Sequence, residues 1–180
     1  MAVLIAAFLI YFIFSSRIQD QQSHQPAAGP QSEPNRLGPP DIYPNRVLTP
    51  GLANPEITQD NIQVTICGHY WSTKSVRPPA GYTNRLKIEQ IQEYGDQDTD
   101  PRDYEEDHLI PLELGGDPWS PQNLWPEPYV ASIPEGGARF KDHVENYLHE
   151  RVCAGGISLP TAQQEIATDW YRVYLEDVRR

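Results

Sequence analysis

The sequence is poor in basic residues. Its 180 residues include 14 lysine and arginine residues against 25 aspartate and glutamate residues, which gives a net charge of −11. A protein that grips nucleic-acid phosphates ordinarily carries a basic surplus, so this balance predicts at most weak, salt-sensitive and sequence-independent binding to nucleic acid. A local basic patch near the site remains an alternative, because tertiary contacts decide whether the later basic residues come together. These are Arg77, Arg85, Lys87, Arg139, Lys141 and Arg151.

The sequence is also poor in cysteine. Cys67 and Cys153 are its two cysteines, and no Cys-x-x-Cys spacing exists, which argues against a structural zinc site. In an exported protein an even pair predicts a disulfide, and closure of so long a loop stabilises the fold by about 4 kcal/mol in the chain-entropy treatment. Two separate buried thiols are the alternative.

No apolar run reaches the length of a membrane span. Residues 2–14 are uninterrupted apolar, whereas a spanning helix needs about 20 such residues. A run of this length is typical of a secretory signal, but no basic residue precedes it and no clear cleavage site follows. We therefore predict a signal peptide or an uncleaved N-terminal anchor in residues 1–16. The protein is expected to be exported, either secreted or membrane-anchored with its domain outside the cytoplasm.

The following segment has few aliphatic residues to bury. Residues 17–58 are rich in Gln, Pro, Ser and Asn, and such a composition does not offset the entropy cost of ordering the chain. We predict a disordered linker here and a single domain over residues 59–180.

The residue types that carry chemistry lie between Tyr104 and Pro128. The pair Asp107 and His108 is followed by a Gly-Gly turn and then by Asn123. An aspartate binds a hard divalent cation through oxygen, while an adjacent histidine, on the other side of an extended backbone, takes a proton from water near neutral pH. Such a pair suits hydrolysis of a phosphodiester.

Hydrophobic patterns predict the elements around this pair. Residues 109–114 are expected to form a short strand or an extended segment, and residues 123–125 a returning strand. Residues 138–153 are expected to form a helix, because their apolar residues recur at helical spacing.

Flanking elements are predicted in the same way. We expect a strand over residues 62–67, a helix over residues 84–94 and a last helix capped by Thr161 in a Thr-x-x-Gln capping box. In that last helix we expect Trp170 in the core and Asp169 at the surface or in a cap.

These residues resemble the HNH endonuclease family, and more narrowly secreted bacterial HNH-type proteins. The likeness rests on Asp107-His108 followed by Leu-Ile-Pro-Leu-Glu-Leu-Gly-Gly, on Asn123-Leu124 and on Lys141 in a helix, and it covers roughly residues 59–174. The resemblance implies an α+β fold with a ββα-metal (HNH) core, in which a hairpin and a helix surround one divalent cation. A flanking strand and flanking helices complete the expected fold.

The resemblance also implies roles for individual residues. His108 would be the general base, Asp107 a metal ligand, and Asn123 the residue that holds the hairpin so that the histidine is aimed correctly. Asn123 could also reach the metal, and Lys141 is the candidate for contact with the scissile phosphate. Mg²⁺ suits the oxygen ligands, whereas a second histidine ligand would favour Mn²⁺, Ni²⁺ or Zn²⁺.

One signature position departs from the family pattern. Ala138 stands where a histidine or asparagine is usual, so the second metal ligand is unassigned. His143 and Glu145 are the available substitutes and lie on opposite edges of the apolar helix face. Glu145 shares an edge with Lys141 and is the favoured ligand, although two such residues four apart ordinarily form a surface ion pair.

The expected activity is that of a metal-dependent endonuclease that hydrolyses phosphodiester bonds of nucleic acid. DNA cut with low sequence specificity is the expected substrate, an N-terminal membrane tether remains open, and no protein partner is identifiable. The alternative is a catalytically inactive HNH-like extracellular binding module, which the missing ligand and the acidic composition favour.

Overall fold

A computed structural model describes Arg36 and residues 38–179, and this part of the chain mixes helices with a small sheet. The predicted α+β class is confirmed, whereas the predicted signal segment, residues 1–16, lies outside the described residues. The helices and strands follow in chain order as α1 (Thr73–Val76), α2 (Ala80–Tyr94), β1 (Tyr104–His108), β2 (Leu124–Pro128), α3 (Ala138–Cys153) and α4 (Leu159–Val173). Short 3₁₀ turns precede α1 and β1 and follow β1, and a π-helical turn, Tyr174–Val178, follows α4.

The sheet is a single antiparallel hairpin. Strand β1 pairs with β2 so that Asp107 faces Trp125 and His108 faces Leu124 across the ladder. Because side chains alternate along a strand, Asp107 lies on the same face as Trp125 and Glu127, and His108 lies on the opposite face. The hairpin is followed directly in sequence by helix α3.

The predicted position of the first strand is wrong. Residues 109–114 do not form a strand; β1 ends at His108, and a 3₁₀ turn over Leu112–Leu114 follows. Pro111 has no N–H to contribute to a ladder. At Gly116 the chain folds back so tightly that a Cβ would lie 1.7 Å from the Ile110 carbonyl oxygen, so glycine is required there. The predicted return strand begins one residue late, at Leu124.

Helices α3 and α4 supply much of the core, and the predicted bounds of α3 are confirmed. Helix α4 begins earlier than the capping box suggested, because the side chain of Ser158 accepts a hydrogen bond from the Thr161 amide and caps the helix. The predicted core position of Trp170 is confirmed at 0% exposure. Asp169 is buried rather than at the surface, and it accepts a hydrogen bond of 2.5 Å from the Tyr43 hydroxyl. Its predicted capping role is confirmed, because its backbone is non-helical and its Oδ1 accepts a hydrogen bond of 3.1 Å from the Arg172 amide three residues later.

The described part of the expected linker packs against the domain. Ile42 and Tyr43 belong to the hydrophobic core, and the Ile42 carbonyl accepts a hydrogen bond of 2.8 Å from Trp170 Nε1. The average composition of residues 17–58 hid these few apolar side chains, whose burial offsets the cost of ordering their segment.

The predicted strand over residues 62–67 is wrong as well. Gln59–Val64 is a 3₁₀ turn that begins at a reciprocal cap between Thr58 and Asn61. Ile62 and Ile66 are both buried, whereas Val64 between them is 81% exposed, although all three would share one face of a strand.

The predicted disulfide between Cys67 and Cys153 is confirmed, with Cα atoms 5.5 Å apart and a sequence separation of 86. It joins the segment before α1 to the last residue of α3. Among the helices of residues 38–179, none combines the length and apolar character that a membrane crossing requires.

Reduction of this disulfide is expected to lower the free energy of unfolding by about 4 kcal/mol, because the unfolded chain regains the freedom that the long closed loop removes. Urea unfolding of the protein with and without dithiothreitol measures the difference. The double variant Cys67→Ser/Cys153→Ser is the control and should not respond to the reductant. Equal stability of the oxidised and reduced protein would contradict the expectation.

Candidate active site

Asn123 closes the loop between the two strands. Its Oδ1 accepts hydrogen bonds from the amides of Ile110 at 3.0 Å and Leu52 at 3.3 Å. Its Nδ2 donates to the carbonyls of Ile110 at 2.9 Å and Asp117 at 3.0 Å. Both protons and both lone pairs of the amide are therefore used by the backbone. In this arrangement Asn123 holds the loop and has no atom left for a metal.

The loop places a carbonyl against the ring of His108. The Nε2 atom of His108 lies 3.1 Å from the Pro118 carbonyl oxygen, and the residue is 4% exposed. A carbonyl only accepts hydrogen bonds, so Nε2 carries the proton and Nδ1 keeps a lone pair. Burial lowers the pKa of His108, against the charge of Asp107. The ring is thus neutral near pH 7, which is the state that a general base requires.

Lys141 lies on the other face of the hairpin and is 0% exposed. Its Nζ donates to Asp107 Oδ2 at 2.6 Å, to the His108 carbonyl oxygen at 2.9 Å and to Glu145 Oε1 at 2.5 Å. The structure therefore brings Lys141, Asp107 and Glu145 together. It does not bring in His143, which is exposed on α3 beside the ring of Phe140.

The charges of this cluster are strongly coupled. Burial disfavours the ammonium of Lys141, but the carboxylates of Asp107 and Glu145 outweigh it and raise its pKa well above the ordinary value. Burial also pushes the pKa of Asp107 upward, and Lys141 outweighs this effect so that the pKa is lowered. For Glu145 burial dominates and raises the pKa to about 8, despite the attraction of Lys141. Asp107 is thus the main counter-charge of the ammonium.

Glu127 belongs to the same face but was not among the predicted site residues. It is 1% exposed, and neither carboxyl oxygen receives an N–H or O–H hydrogen bond from the described residues. Burial raises its pKa well above the ordinary value, and the nearby Asp107 carboxylate adds to this in spite of Lys141. Glu127 is thus a buried carboxyl group on the same face as Asp107 whose ionisation is disfavoured. The alternation of side chains from Trp125 onward is the sequence signal that would have found it.

Arg77 supplies an exposed positive charge near the histidine. It follows α1 and acts electrostatically on Glu105, His108 and Glu113. In the sequence Arg77 was only one of several basic residues whose gathering depends on tertiary contacts, because it lies 31 positions before His108. Of the cations at this site, Arg77 is exposed and Lys141 is enclosed.

A second cluster of potential metal ligands lies at the far end of α3. One ligand atom from each of Cys67, His149 and Cys153 lies within 4.8 Å of the others, the one such group of three that the described residues contain. Both sulfurs belong to the disulfide, and His149 Nε2 lies 3.0 Å from the Ile66 carbonyl oxygen. In the oxidised protein this cluster is a covalent cross-link with a histidine beside it.

The residues around Asp107 do not fit the divalent cation that the motif predicts. Asp107 and Glu145 each direct a carboxylate oxygen at the Lys141 ammonium, and Ala138 offers no ligand atom at the third signature position. Mg²⁺ requires close octahedral oxygen coordination at about 2.1 Å, which the enclosed ammonium prevents.

Comparison of the chain with protein-family models, curated proteins and solved structures found no match. The likeness to HNH endonucleases therefore rests on the motif residues alone.

Replacement of Asn123 by alanine is expected to lower the free energy of unfolding by about 3 kcal/mol, because buried backbone groups at Ile110 and Asp117 lose their partners. Chemical denaturation measures the change. Gln122→Ala is the matched control, since its amide is exposed one residue away. If the two variants are equally stable, Asn123 does not hold the loop.

Glu106 lies on the His108 face, and burial raises its pKa from 4.5 to about 8. Between these values the folded protein binds a proton that the unfolded chain has lost, so the stability present below pH 4.5 falls as the pH rises. Glu106→Gln removes this loss. Relative to the wild type, the free energy of unfolding of Glu106→Gln should therefore rise by up to about 1.4 kcal/mol per pH unit between the two pKa values.

Denaturant unfolding at pH 4, 6 and 8 measures this gain. Glu93→Gln, which makes the same change at an exposed position on α2, is the matched control. A constant difference between Glu106→Gln and the wild type would show that Glu106 titrates alike in both states.

Proposed function

We propose that the protein is a nuclease that hydrolyses phosphodiester bonds of nucleic acid, with His108 as its general base. The observation that carries the proposal is the contact between His108 Nε2 and the Pro118 carbonyl, because it leaves Nδ1 as the proton acceptor of a neutral ring. Asn123 fixes the loop that contains Pro118, so this orientation is built into the fold. DNA cut without strong sequence preference is the proposed substrate, since the acidic chain offers little for selective binding.

The reaction needs a proton acceptor and a positive charge near the phosphate. Nδ1 of His108 takes a proton from water, the water oxygen bonds to phosphorus, and the bond from phosphorus to the departing sugar oxygen breaks. That oxygen takes a proton from solvent, so the products are a phosphomonoester and a hydroxyl group. The exposed guanidinium of Arg77 is the proposed phosphate contact, because arginine matches phosphate geometry with paired N–H donors.

Lys141 is assigned to the interior of the site rather than to the phosphate, because all three of its N–H donors point to protein acceptors. A divalent cation in the family that the motif resembles would stabilise charge on the phosphate. Since the carboxylates here do not fit it, no step of the proposed reaction uses one.

A second candidate function is an extracellular binding module that keeps the hairpin and helix without catalysis. The low exposure of His108, 4%, favours it, because a substrate phosphate has little access to the ring. If the protein is such a binding module, it is expected to bind nucleic acid without cleaving it.

The proposed setting is outside the cytoplasm. The disulfide between Cys67 and Cys153 is compatible with it, because reducing conditions in the cytosol ordinarily keep thiols free. The apolar run in residues 2–14 supports export, either through a cleaved signal or with the run retained as a membrane tether.

Cleavage of plasmid DNA and of a structured RNA by the full-length chain at low salt tests the proposal. His108→Ala should reduce the cleavage rate by about 10²–10⁴-fold, which is the usual contribution of a general base. His69→Ala is the matched control, because His69 is exposed and lies before α1. Folded wild-type protein that binds but does not cleave would favour the binding module, and full activity of His108→Ala would place the base elsewhere.

A further inference from the structure

We infer that the ammonium of Lys141 takes the position between Asp107 and Glu145 where the motif predicts a divalent metal. The hairpin–helix centre, formed by Asp107, Lys141 and Glu145, would then bind no metal, because Lys141 is its resident cation. This inference concerns the same residues as the proposed function. It does not depend on the proposed reaction, because its test measures metal binding rather than cleavage of nucleic acid.

The hydrogen-bonding capacity of the ammonium is complete. A lysine ammonium has three N–H donors, and Lys141 directs them to Asp107, Glu145 and the His108 carbonyl at 2.5–2.9 Å. Carboxylate oxygens hold divalent cations at about 2.0–2.6 Å, so a metal ion on these oxygens would lie almost in contact with the ammonium. Two cations at that separation repel strongly in a buried setting.

The burial of Lys141 shows that its charge is matched by the protein itself. A lysine with 0% exposure is costly unless it is paired and hydrogen-bonded, and this one is paired with Asp107 and also donates to Glu145 and to the His108 carbonyl. Its stem is also enclosed, so the ammonium leaves only if the hairpin and α3 move apart.

The departure at Ala138 agrees with this arrangement. Ala138 lies one helical turn before Lys141, is 3% exposed and carries no ligand atom. The motif has thus lost one ligand at the position where it would be needed for a metal, and it retains a cation that reaches the remaining acids. A centre that holds lysine in place of a metal has no use for that ligand.

The other lysines of the chain provide the comparison. Lys74 is exposed on α1, and Lys87 on α2 donates to the Tyr104 carbonyl at 2.8 Å. Lys74→Ala therefore changes the net charge as Lys141→Ala does and leaves the centre intact.

Mn²⁺ binding by the purified full-length chain tests the inference. Calorimetry or electron paramagnetic resonance is applied to the wild type and to the single variants Asp107→Asn, Lys141→Ala and Lys74→Ala. In the wild type and in Lys74→Ala, no Mn²⁺ site that depends on Asp107 is expected, so the wild type and Asp107→Asn should bind Mn²⁺ equally. Lys141→Ala is expected to gain one such site, and Mn²⁺ should raise its melting temperature by about 5 °C while leaving that of the wild type unchanged.

Each contrary result overturns the inference. Binding of one Mn²⁺ by the wild type that is lost in Asp107→Asn would show that the centre takes a metal beside the lysine. A melting temperature of Lys141→Ala equal to that of Lys74→Ala, or a folded Lys141→Ala that gains no Mn²⁺ site, would show that the ammonium is not what fills the centre. If Lys141→Ala does not fold, the comparison of the wild type with Asp107→Asn still decides.

Cleavage in EDTA separates this inference from the proposed function. A wild type that cleaves DNA in EDTA satisfies both, and one that neither binds Mn²⁺ nor cleaves retains the inference while rejecting the nuclease.

Discussion

The closure of the hairpin loop by Asn123 is the constraint on which both faces of the site depend. The ladder joins only two five-residue strands, and a hairpin of that size is marginal by itself in water. The asparagine joins the ends of the loop and thereby brings the Pro118 carbonyl to the ring of His108. On the reverse face the carbonyl of the same histidine accepts a hydrogen bond from Lys141. The proton acceptor and the buried ion cluster therefore meet at one residue.

The parts of the fold that local pattern controls could be predicted. The bounds of α3 follow from apolar spacing, and the Cys67–Cys153 bond follows from an isolated pair in a chain expected to be exported. The failures have tertiary causes. Residues 109–114 look extended because they are apolar, but side-chain hydrogen bonds from Asn123 replace a ladder there. Ile42 packs in the core although its neighbours resemble a linker, because the burial of a few side chains is invisible in average composition.

The site could be predicted to the same limited extent. Helical geometry placed Glu145 on the edge of Lys141, and strand geometry placed Asp107 and His108 on opposite faces. These periodic patterns could not show that Lys141 is fully enclosed, since its burial depends on how closely α3 approaches the hairpin. Nor could these patterns show that Glu127 is buried beside Asp107, where burial first and the Asp107 carboxylate second raise its pKa. Charge in this site is set by burial, and burial is a property of the assembled fold.

The disulfide has a mechanical effect on the ion cluster at the other end of its helix. Cys153 is the last residue of α3, and Lys141 lies twelve positions earlier, about 18 Å along the axis. A helix is stiff over that length, so a covalent anchor at one end restrains rotation of the whole rod. Turning α3 by one residue would swing Lys141 roughly 100° away from the hairpin and would also strain the link to Cys67. The disulfide thus restrains rotation of α3 about its own axis and keeps Lys141 directed at the hairpin.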